Sequence, residues 1–200
     1  MKRIFSVFFL VLFVIMISAC SREAPVGQKE EAKGKSMNKD KFSLYQSALL
    51  KISFQYPPSW QMKEIENPKG SYRQIHLVGP RREDIGFPVS ITITAFSRSE
   101  SLKDEVIKYL LRKKRLKDFN LLKRSDDIWA DETAEAFEFT YLVSLPLYSV
   151  KAQQAVIQER TIFFKKGEIL YKVSFFVDRE RFAEFTEVLE NLKESLSFSG

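Results

Sequence analysis

Residues 169–178 read Ile169-Leu170-Tyr171-Lys172-Val173-Ser174-Phe175-Phe176-Val177-Asp178, and residues 179–196 carry Phe182, Phe185, Val188, Leu189, Leu192 and Leu196 at helical spacing. In the first stretch Ile169, Tyr171, Val173, Phe175 and Val177 alternate with their neighbours, which is the period of a strand with one apolar face. Asp178 fits a helix N-cap, and Val177 and Phe182 stand where a hydrophobic staple places its two members. Glu184, Glu187, Glu190 and Lys193 fall outside the stripe. An apolar stripe this continuous needs a sheet face to cover, so a strand leading into this helix sets the class as α+β.

Working towards the N-terminus, Lys165-Lys166-Gly167-Glu168 offers a glycine turn, preceded by a strand pattern over residues 153–164. Phe137, Phe139, Tyr141 and Val143 mark another strand over 134–145. Three consecutive strands with short links imply an antiparallel meander. Upstream, Leu50, Ile52, Phe54 and Tyr56 alternate until Pro57-Pro58 stops them, and a further strand is expected over 72–78. Residues 89–96 put Val89, Ile91, Ile93 and Ala95 on one face and Ser90, Thr92 and Thr94 on the other, the pattern of a half-buried strand. Between these halves Leu102, Val106, Tyr109 and Leu110 follow helical spacing behind a Ser101/Asp104 capping box. That helix is expected to run into Arg112-Lys113-Lys114-Arg115-Leu116-Lys117, a cationic end suited to the negative pole of its dipole. The expected architecture is a central antiparallel β-sheet flanked by helices, occupying residues 42–200.

The stretch Ile52-Ser53-Phe54-Gln55-Tyr56-Pro57-Pro58-Ser59-Trp60 resembles the opening motif of the PsbP-like superfamily: an apolar strand, a tyrosine-proline pair and a tryptophan three residues after the first proline. The order of elements agrees with that family over residues 42–200. The superfamily includes the extrinsic PsbP subunits of photosystem II, DcrB-type bacterial envelope lipoproteins and Mog-type Ran-binding proteins. The resemblance implies an α/β/α sandwich and a role in binding or assembly rather than catalysis. No binding residue of the family matches a position here, so none is carried over.

The N-terminus has its own reading. Lys2 and Arg3 precede an almost wholly apolar run over residues 4–17, which ends in Ile17-Ser18-Ala19-Cys20. That ending resembles a lipobox. Residues 1–19 are then an export signal and Cys20 the lipid attachment site; Cys20 is the only cysteine, which suits lipidation and excludes an intramolecular disulfide. The competing reading is an uncleaved membrane helix, because about 16 apolar residues approach the roughly 20 that span a bilayer. Residues 20–41 are highly charged, with Val26 and Met37 the only sizeable apolar side chains, and read as a tether whose root-mean-square span is about 25 Å. Ser21 is not the Asp that retains lipoproteins in the inner membrane of enteric bacteria, so the outer membrane, facing the periplasm, is the expected location.

The net charge of +6 looks basic until it is mapped. Residues 42–200 carry 24 basic and 22 acidic side chains, so a polyanion-binding domain is a poor fit and nucleic acid is not an expected partner. The single histidine, His76, sits in a strand pattern and reads as a sheet residue. With one histidine and one lipidated cysteine, a zinc site of the usual nitrogen and sulfur kind is excluded. There is no G-x-S-x-G elbow or phosphate-binding glycine loop. Asp126-Asp127 and Asp131-Glu132 lack the spacing of a calcium loop and are expected to form a solvated turn before the meander. Glu138, Glu159 and other strand carboxylates are the candidates for acid/base work, although sequence brings no two of them together. Trp60 and Trp129 are expected at the edge of the core.

These observations imply a lipid-anchored binding or assembly module of the cell envelope, without catalytic residues, metal or cofactor, and monomeric as a domain. Its expected partners are the membrane, through Cys20, and an envelope protein that the sequence does not identify. The candidate partner surface is Arg112, Lys113, Lys114, Arg115 and Lys117, the densest charge cluster of the domain. The alternatives are a ligand-capturing accessory protein of an envelope transport system and, less favoured, a carboxylate-dependent envelope enzyme.

Overall fold

The computed structural model describes residues 42–81, 87–96, 101–145 and 153–199. The signal segment, Cys20 and the tether lie outside these residues. Strands β3 (Gln61–Glu66), β4 (Tyr72–Arg81), β5 (Pro88–Phe96), β6 (Asn120–Trp129), β7 (Glu132–Leu145), β8 (Gln153–Lys166) and β9 (Ile169–Asp178) form one antiparallel sheet in the order β3-β4-β5-β9-β8-β7-β6. A smaller sheet joins β1 (Ser43–Ser47), β2 (Ile52–Tyr56) and the two-residue β10 (Ser197–Phe198), with β2 in the middle. Helix α1 (Leu102–Lys113) connects β5, inside the large sheet, to β6 at its far edge, and α2 (Phe182–Ser195) follows β9. The expected meander is β7-β8-β9. Its last strand pairs with both β8 and β5, so the stretch that sets the fold class is the strand that joins the two halves of the sheet.

Paired residues on neighbouring strands share a face, and the register separates two cores. On one face Ile75, Leu77, Ile91, Ile93, Ala136, Ile162, Phe164, Val173 and Phe175 pack with Phe185, Leu189 and Leu192 of α2 and with Ile52 and Phe54 of β2. The opposite face holds Phe137, Phe139, Tyr141, Ile157 and Phe163 under Val106 and Tyr109 of α1. The α2 stripe therefore covers the sheet as its spacing predicts. Its first member differs: Phe182 is only half-buried, against Phe175 with ring centroids 5.1 Å apart. Asp178 does cap a helix start, accepting from the Glu180 N–H at 2.9 Å, but the turn it caps is a 3-10 turn, Arg179–Arg181, and α2 proper begins one turn later. A tight first turn of this kind is common where a chain leaves a strand for a helix.

The tyrosine-proline-tryptophan motif gains a physical role here. The Trp60 N–H bonds to the Pro57 carbonyl at 3.0 Å, closing the turn between β2 and β3. Its ring lies 6.1 Å from that of Phe185. Gly79 lets β4 pass beneath it, because a Cβ there would come within 2.5 Å of the indole.

Strand β5 corrects one expectation. It reads as half-buried, yet residues 89–95 are buried on both faces, Ser90, Thr92 and Thr94 included. The strands that the periodicity does not reveal are short or at sheet edges. β3 and β6 each pair with a single neighbour, and an edge strand tolerates charged and polar side chains that blunt it against other chains. The expected solvated turn is accordingly corrected, since Asp126 and Asp127 lie within β6. The turn itself is confined to Ala130 and Asp131, whose φ values of 49° and 66° place both in the left-handed region typical of a two-residue hairpin.

Candidate functional site

The C-terminal end of α1 lies over the centre of the meander. Ser101 starts the helix by accepting from the Asp104 N–H at 3.2 Å, and Val106, Tyr109 and Lys113 then share its inward face at i, i+3 and i+7. Beneath them β8 contributes Ile157, Glu159, Thr161 and Phe163, β7 contributes Phe139 and Tyr141, and β9 contributes Lys172 and Ser174, all on one face by register.

Glu159 is only 2% exposed. One carboxylate oxygen accepts from the Tyr109 hydroxyl and from Thr161 Oγ1 at 2.9 Å; the other accepts from Lys113 Nζ at 2.5 Å and from the Tyr141 hydroxyl at 2.9 Å. Thr161 continues the network, with its Oγ1 2.8 Å from the Tyr109 hydroxyl and 3.0 Å from Ser174 Oγ. A carboxylate has about four lone-pair sites, and here four donors occupy them. Lys113 Nζ also stands 4.9 Å from the Tyr141 ring and 5.3 Å from that of Tyr109. Burial, and then the negative charge of Glu159, hold both tyrosine hydroxyls well above their ordinary values, so they remain donors.

Lys172 enters the same region from β9. Its Nζ lies 5.2 Å from the Tyr109 ring and 5.9 Å from that of Phe96. Burial pushes its pKa down; Glu159 opposes this, and the nearby cations Lys113 and Arg112 add to it. Tyr109, Arg112, Lys113, Leu116 and Lys172 line an open cleft of about 310 Å³.

The structure divides the candidate partner surface. The helix ends at Lys113, and residues 114–117 form a turn in place of the expected helical extension. Arg112, Lys114, Arg115 and Lys117 are exposed, whereas Lys113 turns inward to Glu159. Reversing the charge of Lys113 is therefore a core substitution as well as a surface one. Around the row, Ile107 and Leu111 on the outer side of α1 are 44% and 55% exposed.

The other candidates separate cleanly. Asp127 accepts from Lys193 Nζ at 2.5 Å, Arg160 at 3.0 Å and the Trp129 indole N–H at 3.1 Å, tying β6 to α2. Burial raises its pKa, but Lys193 and the N–H groups of Ile128 and Trp129 outweigh that and leave it lowered. Glu132 pairs with Lys166 at 2.8 Å and Glu138 accepts from Gln158 at 2.7 Å, so the acidic residues are spread over separate contacts. Among the described residues no three His, Cys, Asp or Glu side chains converge on a point that would hold a metal ion. His76 lies half-buried in β4 opposite Lys63 and Thr92, and burial lowers its pKa. Trp129 is buried at 1% exposure, deeper than the core edge, its ring stacked on Phe164. In the sequence Glu159 is one strand carboxylate among several and Lys172 is one strand lysine among several. Their phase marks them, since each is a charged residue on the strand face shared with Phe163 or Phe176.

No family model and no curated protein matches the sequence. Solved structures do match. The solution structure of cyanobacterial PsbP (CyanoP) from Synechocystis sp. PCC 6803 superposes with a TM-score of 0.50 at 12% identity, over 88% of this chain and 100% of that one. The chain has a PsbP-like fold. LpqN, involved in cell envelope biogenesis of Mycobacterium tuberculosis, superposes with a TM-score of 0.50 at 11% identity, over 80% of this chain and 91% of its own. The Ran-binding protein Mog1p of Saccharomyces cerevisiae reaches 0.49 at 12% identity, over 78% and 95% of the two chains. The PsbP-like fold agrees with the α+β sandwich expected from the Tyr56-Pro57 and Trp60 motif. Among the described residues no helix is long and apolar enough to cross a membrane.

Proposed function

We propose that this protein is a non-catalytic binding or assembly module of a bacterial cell envelope, held on the outer membrane and facing the periplasm through lipid on Cys20, with residues 21–41 as tether. The observation that carries the non-catalytic reading is the occupancy of Glu159. It is the buried carboxylate closest to the cleft, and all its lone pairs accept from fixed donors, which leaves no position from which to take a substrate proton. Asp178, the other buried acid among the described residues, is engaged as a helix cap. The envelope location draws on the lipobox-like Ile17-Ser18-Ala19-Cys20 and on the PsbP-like fold shared with LpqN, whose role in envelope biogenesis is the precedent. The partner is the membrane together with an envelope protein, and the exposed cations Arg112, Lys114, Arg115 and Lys117 are the surface proposed to meet it.

Replacing Cys20 with Ala in the full chain is expected to leave a longer, unlipidated precursor, seen by mass spectrometry. A wild-type mature N-terminus elsewhere, without lipid, sinks the anchor. Turnover of an envelope substrate by the purified protein, lost on changing one Asp or Glu, sinks the non-catalytic reading.

A further inference from the structure

We propose that the cleft at the C-terminal end of α1, lined by Tyr109, Arg112, Lys113, Leu116 and Lys172, is a binding site for a phosphate group. Charge and shape set this cleft apart. Three cationic side chains line the cleft, and the carboxylate beside them, Glu159, is buried and saturated by four donors. Against the three cations stand two carboxylates, Glu159 and Glu105, so the cleft keeps a surplus of one positive charge, and a phosphate group offers the several acceptor oxygens that the donors of Lys172 and Arg112 can share. Lys172 Nζ faces aromatic rings and no protein acceptor among the described residues holds it, so its donors are available to an anion entering the open cleft. Arg112 adds a planar fork of donors at the rim, the geometry that pairs with phosphate oxygens.

A helix C-terminus carries partial negative charge, which opposes an anion, but here most of that charge is met. The Lys114 N–H bonds to the Leu110 carbonyl, Arg115 to Arg112 and Leu116 to Lys113, so three of the last four carbonyls have their own donors. The volume, about 310 Å³, holds a phosphate and the atoms attached to it but no polymer. The exposed Ile107 and Leu111 outside the cleft give an apolar body somewhere to lie, so the phosphate can belong to a lipid headgroup or to a free ion. The proposal rests on the reading of the chain as a binding module and names the chemistry of its ligand.

The test is thermal unfolding of the full-length protein in a non-ionic detergent. Sodium phosphate is compared with sodium chloride at equal ionic strength, and both with short-chain phosphatidic acid added to the micelles. In the wild type phosphate is expected to raise the melting temperature saturably, as a ligand of the native state does. Lys172→Met keeps the length and apolar contacts of the side chain, so it is expected to fold, to melt no lower than wild type without phosphate, and to lose the phosphate shift. Arg112→Gln is expected to weaken the apparent phosphate affinity about tenfold or more. Phosphatidic acid acting at lower concentration than phosphate assigns the site to a lipid headgroup, and phosphate acting as well or alone assigns it to the free ion. Equal shifts in wild type and Lys172→Met, or no shift with either anion, overturn the site. In that case partner association through the lipid-anchored chain is unaffected, whereas a protein that binds phosphate but turns over a substrate breaks the module reading and leaves the site standing.

Discussion

The two faces of the large sheet are each covered by one helix, yet they hold different kinds of interior. Under α2 lie Ile75, Ile91, Ile162, Phe164, Val173 and Phe175, closed by Phe185, Leu189 and Leu192 and by the small sheet. Under α1 the aromatic side chains of Phe137, Phe139 and Phe163 surround an ionised centre of Glu159 and Lys113, and the helix contributes only Val106 and Tyr109 as buried residues. One face is an ordinary apolar core, whose strength is area removed from water. The other gives up apolar burial to hold charge. A buried ion pair is weak support for stability, because desolvating two charges cancels much of their attraction.

Truncation is expected to hurt most under α2. Leu192→Ala is expected to cost about 3 to 5 kcal/mol in chemical denaturation, the range for a leucine removed from a packed core. Val106→Ala, its counterpart under α1, should cost about 1 to 2 kcal/mol from the methyl groups lost. Equal losses at the two positions would erase the distinction between the faces.

Glu159→Ala comes next, at about 2 to 3 kcal/mol. It strands two tyrosine hydroxyls and Lys113, although the lysine side chain is 20% exposed and can reach water, which moderates the loss. The double change of Glu159→Leu with Lys113→Met is expected to recover most of it, as removing both partners of a buried pair usually does. A double variant no more stable than the single one would show that the network, rather than the pair, carries the energy.

The smallest effect is read through pH. Lys172 has a folded pKa below its unfolded value of 10.5. Between the two values the unfolded chain binds a proton that the folded chain does not, so stability rises with pH across that window and is fully present only above it. Burial sets the shift, Glu159 and Glu105 counter it, Lys113 and Arg112 enlarge it, and Tyr109 and Tyr141 limit the window from above, because their raised values make stability fall once the pH passes about 10. The difference in unfolding free energy between wild type and Lys172→Met, followed upward from neutral pH, is expected to shift in favour of the wild type. A flat difference would mean that the ammonium is solvated in the folded protein.

Much of this architecture is legible in the residues. The alternation of Ile169, Tyr171, Val173, Phe175 and Val177, and the stripe from Phe185 to Leu196, place a strand and a helix where the structure has them, and the Tyr56-Pro57 and Trp60 motif points to the PsbP-like fold that the solved structures share. β3 and β6 escape because an edge strand needs only one neighbour and carries charges that mask its period. β5 misleads because serine and threonine look solvent-facing in sequence, although a sheet covered on both sides buries them. The candidate site is the least legible. The cationic run over 112–117 is plain, but nothing local says that Lys113 alone turns inward.

Residue order along the chain determined the periods, the turns, the helix starts and the lipobox-like N-terminus, because each depends on neighbours a few positions apart. Which charges leave water depends on how distant elements pack. Glu159, Lys113 and Tyr109 are separated in sequence by 46 and 50 residues, and they meet because the register of β8 and the path of α1 bring them to one point. A carboxylate on a strand is solvated or buried according to what crosses over it, and that covering element is set by the topology of the sheet, which no short window of sequence contains.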